Sequence, residues 1–250
     1  MLDDAHGVHD FVYDARNADI LVSINGALKH RDEATVSVFE SGYLLGDGVW
    51  EGLRVHAGGV AFLPEHLKRL YGGAKTIDMD IGLTPEQMET RLYATLAANS
   101  MSDGVHIRLM VTRGVKSTPY QHPRVTITPP TVVIIPEYKA ALPSVIENGI
   151  RLFTVHVRRG DPAVQDQKLN SHSKLNCITA CIQAAKAGAD EALMLDPHGF
   201  VNTTNACNFF IVRKGEVWTS TGDYCMNGVT RQKVIDLCRD NGIPVCEKNY

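Results

Sequence analysis

The chain has 250 residues, of which 44% are apolar and 21% charged, and a formal net charge of −3 at pH 7. That length supports one large or two modest packed domains, and the composition excludes disordered and fibrous classes. The weak charge and the lack of a Lys/Arg block argue against a nucleic-acid partner; the acidic, polar opening and the absence of an apolar run near the roughly 20 residues that span a bilayer predict a cytoplasmic protein without membrane contact.

In chain order, residues 20–25 (ILVSIN) read as a strand entering a tight turn at Gly26. Residues 48–56 alternate apolar and polar types, and Gly58-Gly59 marks a hairpin before a returning strand over 60–63. Leu67, Leu70, Tyr71 and Ala74 recur at helical spacing over 64–77, with Pro64 suited to the first turn. A second helix is predicted over 84–99, where Thr84, Pro85 and Gln87 supply an N-cap, a first-turn proline and a capping-box glutamine. A strand follows over 106–112.

Then comes a proline-rich interval, from Pro119 to Pro143, interrupted by the β-prone TVVII. It predicts a boundary, with domains over 1–122 and 146–250 and an interdomain segment over 123–145. The second half reads as a strand (150–157), a helix (175–187), a strand (191–195), the turn DPHG, a hairpin of 208–212 with 216–219, and a last helix over 230–241 ended by Gly242. All six cysteines lie in the C-terminal third without CxxC pairs, so free thiols are expected. No metal site is expected either, because the scattered histidines and the Cys177/Cys181 pair complete no ligand set.

Five segments carry the chemistry: GYLLGDGVWEGLR (42–54), EHLKRL (65–70), GADEALMLDPHGFV (188–201), NFFIV (208–212) and NGVTR (227–231). In this order they resemble the class IV, or fold-type IV, pyridoxal-phosphate aminotransferases. That family includes branched-chain and D-amino-acid transaminases, (R)-amine transaminases and aminodeoxychorismate lyase. The resemblance runs over nearly the whole chain. It implies a two-domain α/β fold, a small α/β domain beside a larger, mixed β-barrel-like cofactor domain. It further implies pyridoxal 5'-phosphate as cofactor, transfer of an amino group between a small amino acid or amine and a 2-keto acid, and a homodimer.

Site residues follow from the same resemblance. A phosphate dianion calls for a fixed cation and backbone N–H donors at a helix start. Arg69, in H-x-x-R-L, matches the family's phosphate arginine, and Gly228, Val229 and Thr230 match the helix start that holds the same phosphate. Met226 falls where relatives place an aliphatic side chain under the pyridine ring, and Trp50 where they place a substrate-pocket aromatic. Thr203, with Thr204 beside it, takes the column of the glutamate that faces the ring nitrogen.

The chemistry also needs a lysine amine for the Schiff base. An ungapped alignment puts Asn170 in the lysine column. Lys174, in the column of a tyrosine that approaches the cofactor, is favoured over Lys168 as the reactive amine; His172 would lie beside the cofactor, either as a proton carrier or, the more ordinary role, as a hydrogen-bonding residue at the helix entry. Arg113, Lys116 and Tyr120 are candidates for the substrate carboxylate. Relatives continue past the position of Tyr250 through a further strand that adds a threonine to the phosphate cup, so a shortened C-terminal end is expected. Two alternatives stay open: a pyridoxal-phosphate lyase of the same fold, and a non-catalytic relative that binds a phosphorylated ligand.

Overall fold

Alternating apolar residues give the first half of the chain a sheet with one covered face. The computed structural model describes residues 12–140 and 142–250. They form two compact units, one of Val12–Ala140 with Asn170–Ser173, the other of 142–169 with Lys174–Tyr250. In the first unit the elements are β1 (Leu21–Ile24), β2 (Ala27–His30), the short helix α1 (Ser41–Leu45), β3 (Gly48–His56), β4 (Gly59–Val60), α2 (Leu63–Thr76), α3 (Pro85–Ala98), β5 (Val105–Thr112) and β6 (Thr131–Tyr138). The six strands make one antiparallel sheet in the order β2-β1-β6-β5-β3-β4.

Val49, Leu53 and Val55 of β3, with Val105, Ile107, Leu109 and Val111 of β5, are buried at every second position. Leu63, Leu67, Leu70 and Ala74 of α2 and Met88, Leu92 and Leu96 of α3 complete this core. The opposite face carries half-buried Trp50, His106, Arg108 and Met110. Such a one-sided sheet is what strict alternation encodes.

The two hairpins turn on residue pairs with positive φ, Asn25-Gly26 (53° and 90°) and Ala57-Gly58 (48° and 81°), which match the twist of the flanking strands. The second turn lies one residue earlier than Gly58-Gly59. Its return strand β4 is also shorter than expected, because α2 begins at Leu63.

The α3 capping box is present. Thr84 Oγ1 accepts from the Gln87 amide at 3.3 Å, and Gln87 Oε1 accepts from the Thr84 amide at 2.9 Å. Thr84→Ala therefore lowers stability by about 1 kcal/mol, read as a lower urea midpoint at unchanged slope. An unmoved midpoint would refute the assignment.

The expected interdomain segment over 123–145 instead carries β6, which pairs with β5 along its whole length and with β1 on its other side. The first unit therefore runs on to Ala140. Most of these prolines belong to the first unit, in the 3₁₀ turn Pro123–Val125, the approach to β6 and β6 itself, and only Pro143, at the start of α4, lies past the unit's end.

The second unit contains α4 (Pro143–Asn148), β7 (Leu152–Thr154), α5 (Leu175–Lys186), β8 (Glu191–Leu195), β9 (Val201–Thr204), β10 (Phe210–Arg213), β11 (Glu216–Thr219), α6 (Val229–Asp240) and β12 (Val245–Glu247). They form two three-stranded sheets, β7-β8-β9 and β10-β11-β12. Each holds one parallel pair, β7 with β8 and β11 with β12, whose crossover carries α5 or α6 respectively. Ala180 and Ala184 of α5 pack with Val155, Ala192 and Met194. The strand expected over 150–157 keeps only its central three residues. No helix among the described residues is long and apolar enough to cross a membrane.

Candidate functional site

In the first unit, the GVWEGLR strand sends neighbouring side chains to opposite faces. Glu51 joins the apolar face of β3 and is fully buried. There it meets α2, whose His66 and Arg69 are three residues apart and so share one helix face. Arg69 Nε donates to Glu51 Oε1 at 2.8 Å and Nη2 donates to Oε2 at 2.5 Å. His66 Nδ1 lies 2.7 Å from the same Oε2. A carboxylate only accepts, so Nδ1 carries the hydrogen. The guanidinium assigned to phosphate is thus held in a two-point fork.

Trp50 points to the open face. Its indole Nε1 donates to the Ser171 carbonyl at 3.0 Å, and the Arg108 guanidinium lies 3.8 Å above its ring. Burial lowers the Arg108 pKa from its ordinary value, partly offset by Glu137. Residues 170–172 run along the start of β3, with Trp50 N donating to Asn170 O and His172 N to Gly48 O, both at 3.0 Å. Asn170, in the lysine column, is buried and donates from Nδ2 to the Trp50 carbonyl at 2.6 Å. Its Oδ1 has no hydrogen-bond partner among the described residues.

The three carboxylate candidates have different settings. Arg113 is committed to Asp47 through Nε at 2.7 Å and Nη2 at 3.1 Å, and it also donates to the Ile77 and Asp78 carbonyls. Such a clasp holds the β5 exit to α1 and α2 rather than presenting a cation. Lys116 is 1% exposed, with Nζ 3.4 Å from the His122 carbonyl, and Tyr120 is exposed.

In the second unit, Lys174 is half-buried at the N-cap of α5, whereas Lys168 is exposed. Thr203 Oγ1 donates to the Cys207 carbonyl at 2.7 Å. Thr204 Oγ1 donates to that carbonyl at 3.0 Å and accepts from the Cys207 amide at 2.8 Å. Thr204 therefore shapes the turn after β9, and Thr203 keeps only its oxygen lone pairs to offer a ligand.

Gly228 is the N-cap of α6, and among the described residues no side chain caps that end. The N–H groups of Val229 and Thr230 open the helix there. Asn208 Nδ2 donates to the Met226 carbonyl at 2.9 Å and so fixes the loop ahead of them. A Cβ on Gly228 would stand 2.3 Å from Asn208 Oδ1. This uncapped, side-chain-free helix start suits a phosphate.

The family model "Amino-transferase class IV" matches residues 48–250. The chain belongs to the class IV aminotransferases. Over 223 residues it is 41% identical to branched-chain-amino-acid aminotransferase-like protein 2 of Arabidopsis thaliana, covering 88% of this chain and 39% of that protein. The chain thus spans about two fifths of that plant relative's length. It is also 41% identical over 229 residues to a putative branched-chain-amino-acid aminotransferase of Methanocaldococcus jannaschii, covering 91% of this chain and 77% of that one. Among solved structures it is similar to the branched-chain aminotransferase of the thermophilic archaeon Thermoproteus uzoniensis with norvaline. That match has a TM-score of 0.82 and 31% identity, and covers 92% of this chain and 78% of that one.

In this member of the class IV aminotransferase family, Glu51, His66, Arg108 and Asn208 contact candidate site residues or the loop beside them and were not singled out by the sequence reading. A signal existed for the first two: a glutamate at an inward-facing strand position cannot be left unpaired, and H-x-x-R places two donors on one helix face. For Arg108 and Asn208 there was none, because neither sits at an inward-facing strand position or in a helical pair that would announce its partner.

Proposed function

We propose that the chain is a pyridoxal-phosphate aminotransferase that moves an amino group between a small amino acid or amine and a 2-keto acid. The α6 start supports this reading, because a side chain on Gly228 would meet Asn208 Oδ1 and, among the described residues, no side chain caps the first amides of this twelve-residue helix. Val229 and Thr230 would hold that phosphate by their amides, and Arg69 is its guanidinium by resemblance. Met226 would lie against the ring, and Thr203 would accept from the ring nitrogen. When bound, the cofactor supplies an electron sink for the substrate's Cα carbanion. Lys174 supplies the primary amine and moves the proton at Cα. Trp50 lines the substrate side, while the clasp to Asp47 argues against Arg113 in that role and exposure leaves Tyr120 a peripheral candidate.

The family resemblance supports a homodimer, and the lack of any membrane-crossing helix among the described residues is compatible with a cytoplasmic setting. Branched-chain donors come first in the test because two relatives bear that name.

Purified protein with pyridoxal phosphate, a panel of L- and D-amino acids and 2-oxoglutarate or pyruvate is expected to yield the matching keto acid together with a newly aminated acceptor. Keto acid and ammonia formed without any acceptor would transfer the reading to a lyase. No product from any pair would defeat it.

A further inference from the structure

The Glu51 cluster is costly to bury, and that cost points to a use. Glu51 is 0% exposed on a strand face whose other members are Val49, Leu53 and Val55. A well-packed apolar side chain there would stabilise the fold as well or better, since a buried ion pair seldom recovers its desolvation cost. The carboxylate spends both oxygens on α2, one on Arg69 Nε and the other on Arg69 Nη2 and His66 Nδ1. Exposure of the three side chains rises in the order Glu51 0%, His66 12% and Arg69 19%, so Arg69 is the most exposed member of the cluster. The arrangement anchors the cation along its Nε–Nη2 edge.

We propose that Glu51 and His66 are positioning residues for phosphate recognition, fixing the plane of the Arg69 guanidinium before any ligand arrives. The inference rests on the reading above that Arg69 meets the cofactor's phosphate. Two parallel N–H···O bonds set both the position and the tilt of the fork, and His66 keeps Oε2 from rotating away. A preset guanidinium loses little rotamer freedom on binding, which is where the affinity gain arises.

The test uses the full chain freed of cofactor and titrated with pyridoxal phosphate and, separately, with pyridoxal. Wild-type protein is expected to prefer the phosphorylated form. Arg69→Ala loses that preference. Glu51→Gln keeps the shape but loses an acceptor, and is expected to weaken pyridoxal phosphate binding about tenfold with pyridoxal unchanged. In the double variant, Glu51→Gln adds little to Arg69→Ala. If Arg69→Ala leaves the preference intact, the phosphate assignment of Arg69 fails. If Arg69→Ala loses it while folded Glu51→Gln binds as wild type, the assignment stands and the positioning role fails. Should Glu51→Gln not fold, His66→Asn at the rim of the cluster decides, with a loss of about threefold in pyridoxal phosphate affinity expected and wild-type affinity overturning the proposal.

Discussion

Borohydride reduction of the protein loaded with pyridoxal phosphate is expected to leave the phosphopyridoxyl group on Lys174, and Lys174→Ala is expected to remove both the adduct and amino transfer, a loss on the order of 10²–10⁴-fold or more. The reaction needs a primary amine, and Asn170 offers an amide already committed to the Trp50 carbonyl. Two lysines remain close in sequence, and their settings differ. Lys168 is exposed, and its backbone amide bonds the Asp166 carboxylate in a local turn. Lys174 heads α5, whose first turn is tied to the segment that enters α6. Arg159 is buried and makes that tie, with Nη1 3.1 Å from Cys177 Sγ and Nε donating to the Tyr224 carbonyl at 3.3 Å. Asn176 adds a bond to the Arg158 carbonyl at 2.9 Å. A lysine on an anchored turn returns to one place after each turnover, whereas one on an exposed turn must be ordered every time. Peptide mass spectrometry of the reduced protein reads the outcome directly. An adduct on Lys168 would reassign the amine, and no adduct on any lysine would end the case for covalent attachment.

Much of the fold was legible because local signals agreed with tertiary need. The alternation in 48–56 and 105–112 is the buried face of the sheet, and Thr84-Pro85 with Gln87 is a helix start wherever it stands. Elements without a buried pattern of their own, or too short to show one, were not legible. β2 has an exposed pattern and exists because Asn25-Gly26 turns it back along β1. β12 is three residues long and is defined by pairing with β11 across α6.

The site divides along the same line. Its motifs could be read in order, but not the commitments of single groups. Arg113 reads as an available cation until Asp47, 66 residues earlier, closes on it. Thr204 reads as a cofactor neighbour until its hydroxyl is spent on the Cys207 turn. Neither kind of hydrogen bond, the one across 66 residues or the one within a tight turn, leaves a periodicity in the sequence, and both decide which polar groups remain for a ligand.

Gly228→Ala shows the same logic in a single methyl group, and is expected to cost about 1–3 kcal/mol of stability through overpacking. The glycine has φ −63°, which any residue adopts, so backbone strain is not the reason for it. The reason is Asn208, whose Oδ1 would lie 2.3 Å from the new Cβ. Relief requires the Asn208 amide to swing away, giving up its bond to the Met226 carbonyl and its contact with Cys225 Sγ at 3.7 Å. The loop over 225–228 then loses its brace just ahead of the α6 amides, and pyridoxal phosphate affinity falls by about tenfold or more because those donors no longer converge. Asn208→Ala alone forfeits the Met226 bond, worth about 1 kcal/mol. The double variant has room for the methyl group, so its stability loss is smaller than the sum of the two single losses, while its affinity stays low because the loop remains unbraced. Urea unfolding and cofactor titration on the three variants separate these effects. Strictly additive stability losses would mean that Asn208 is not what the glycine makes way for.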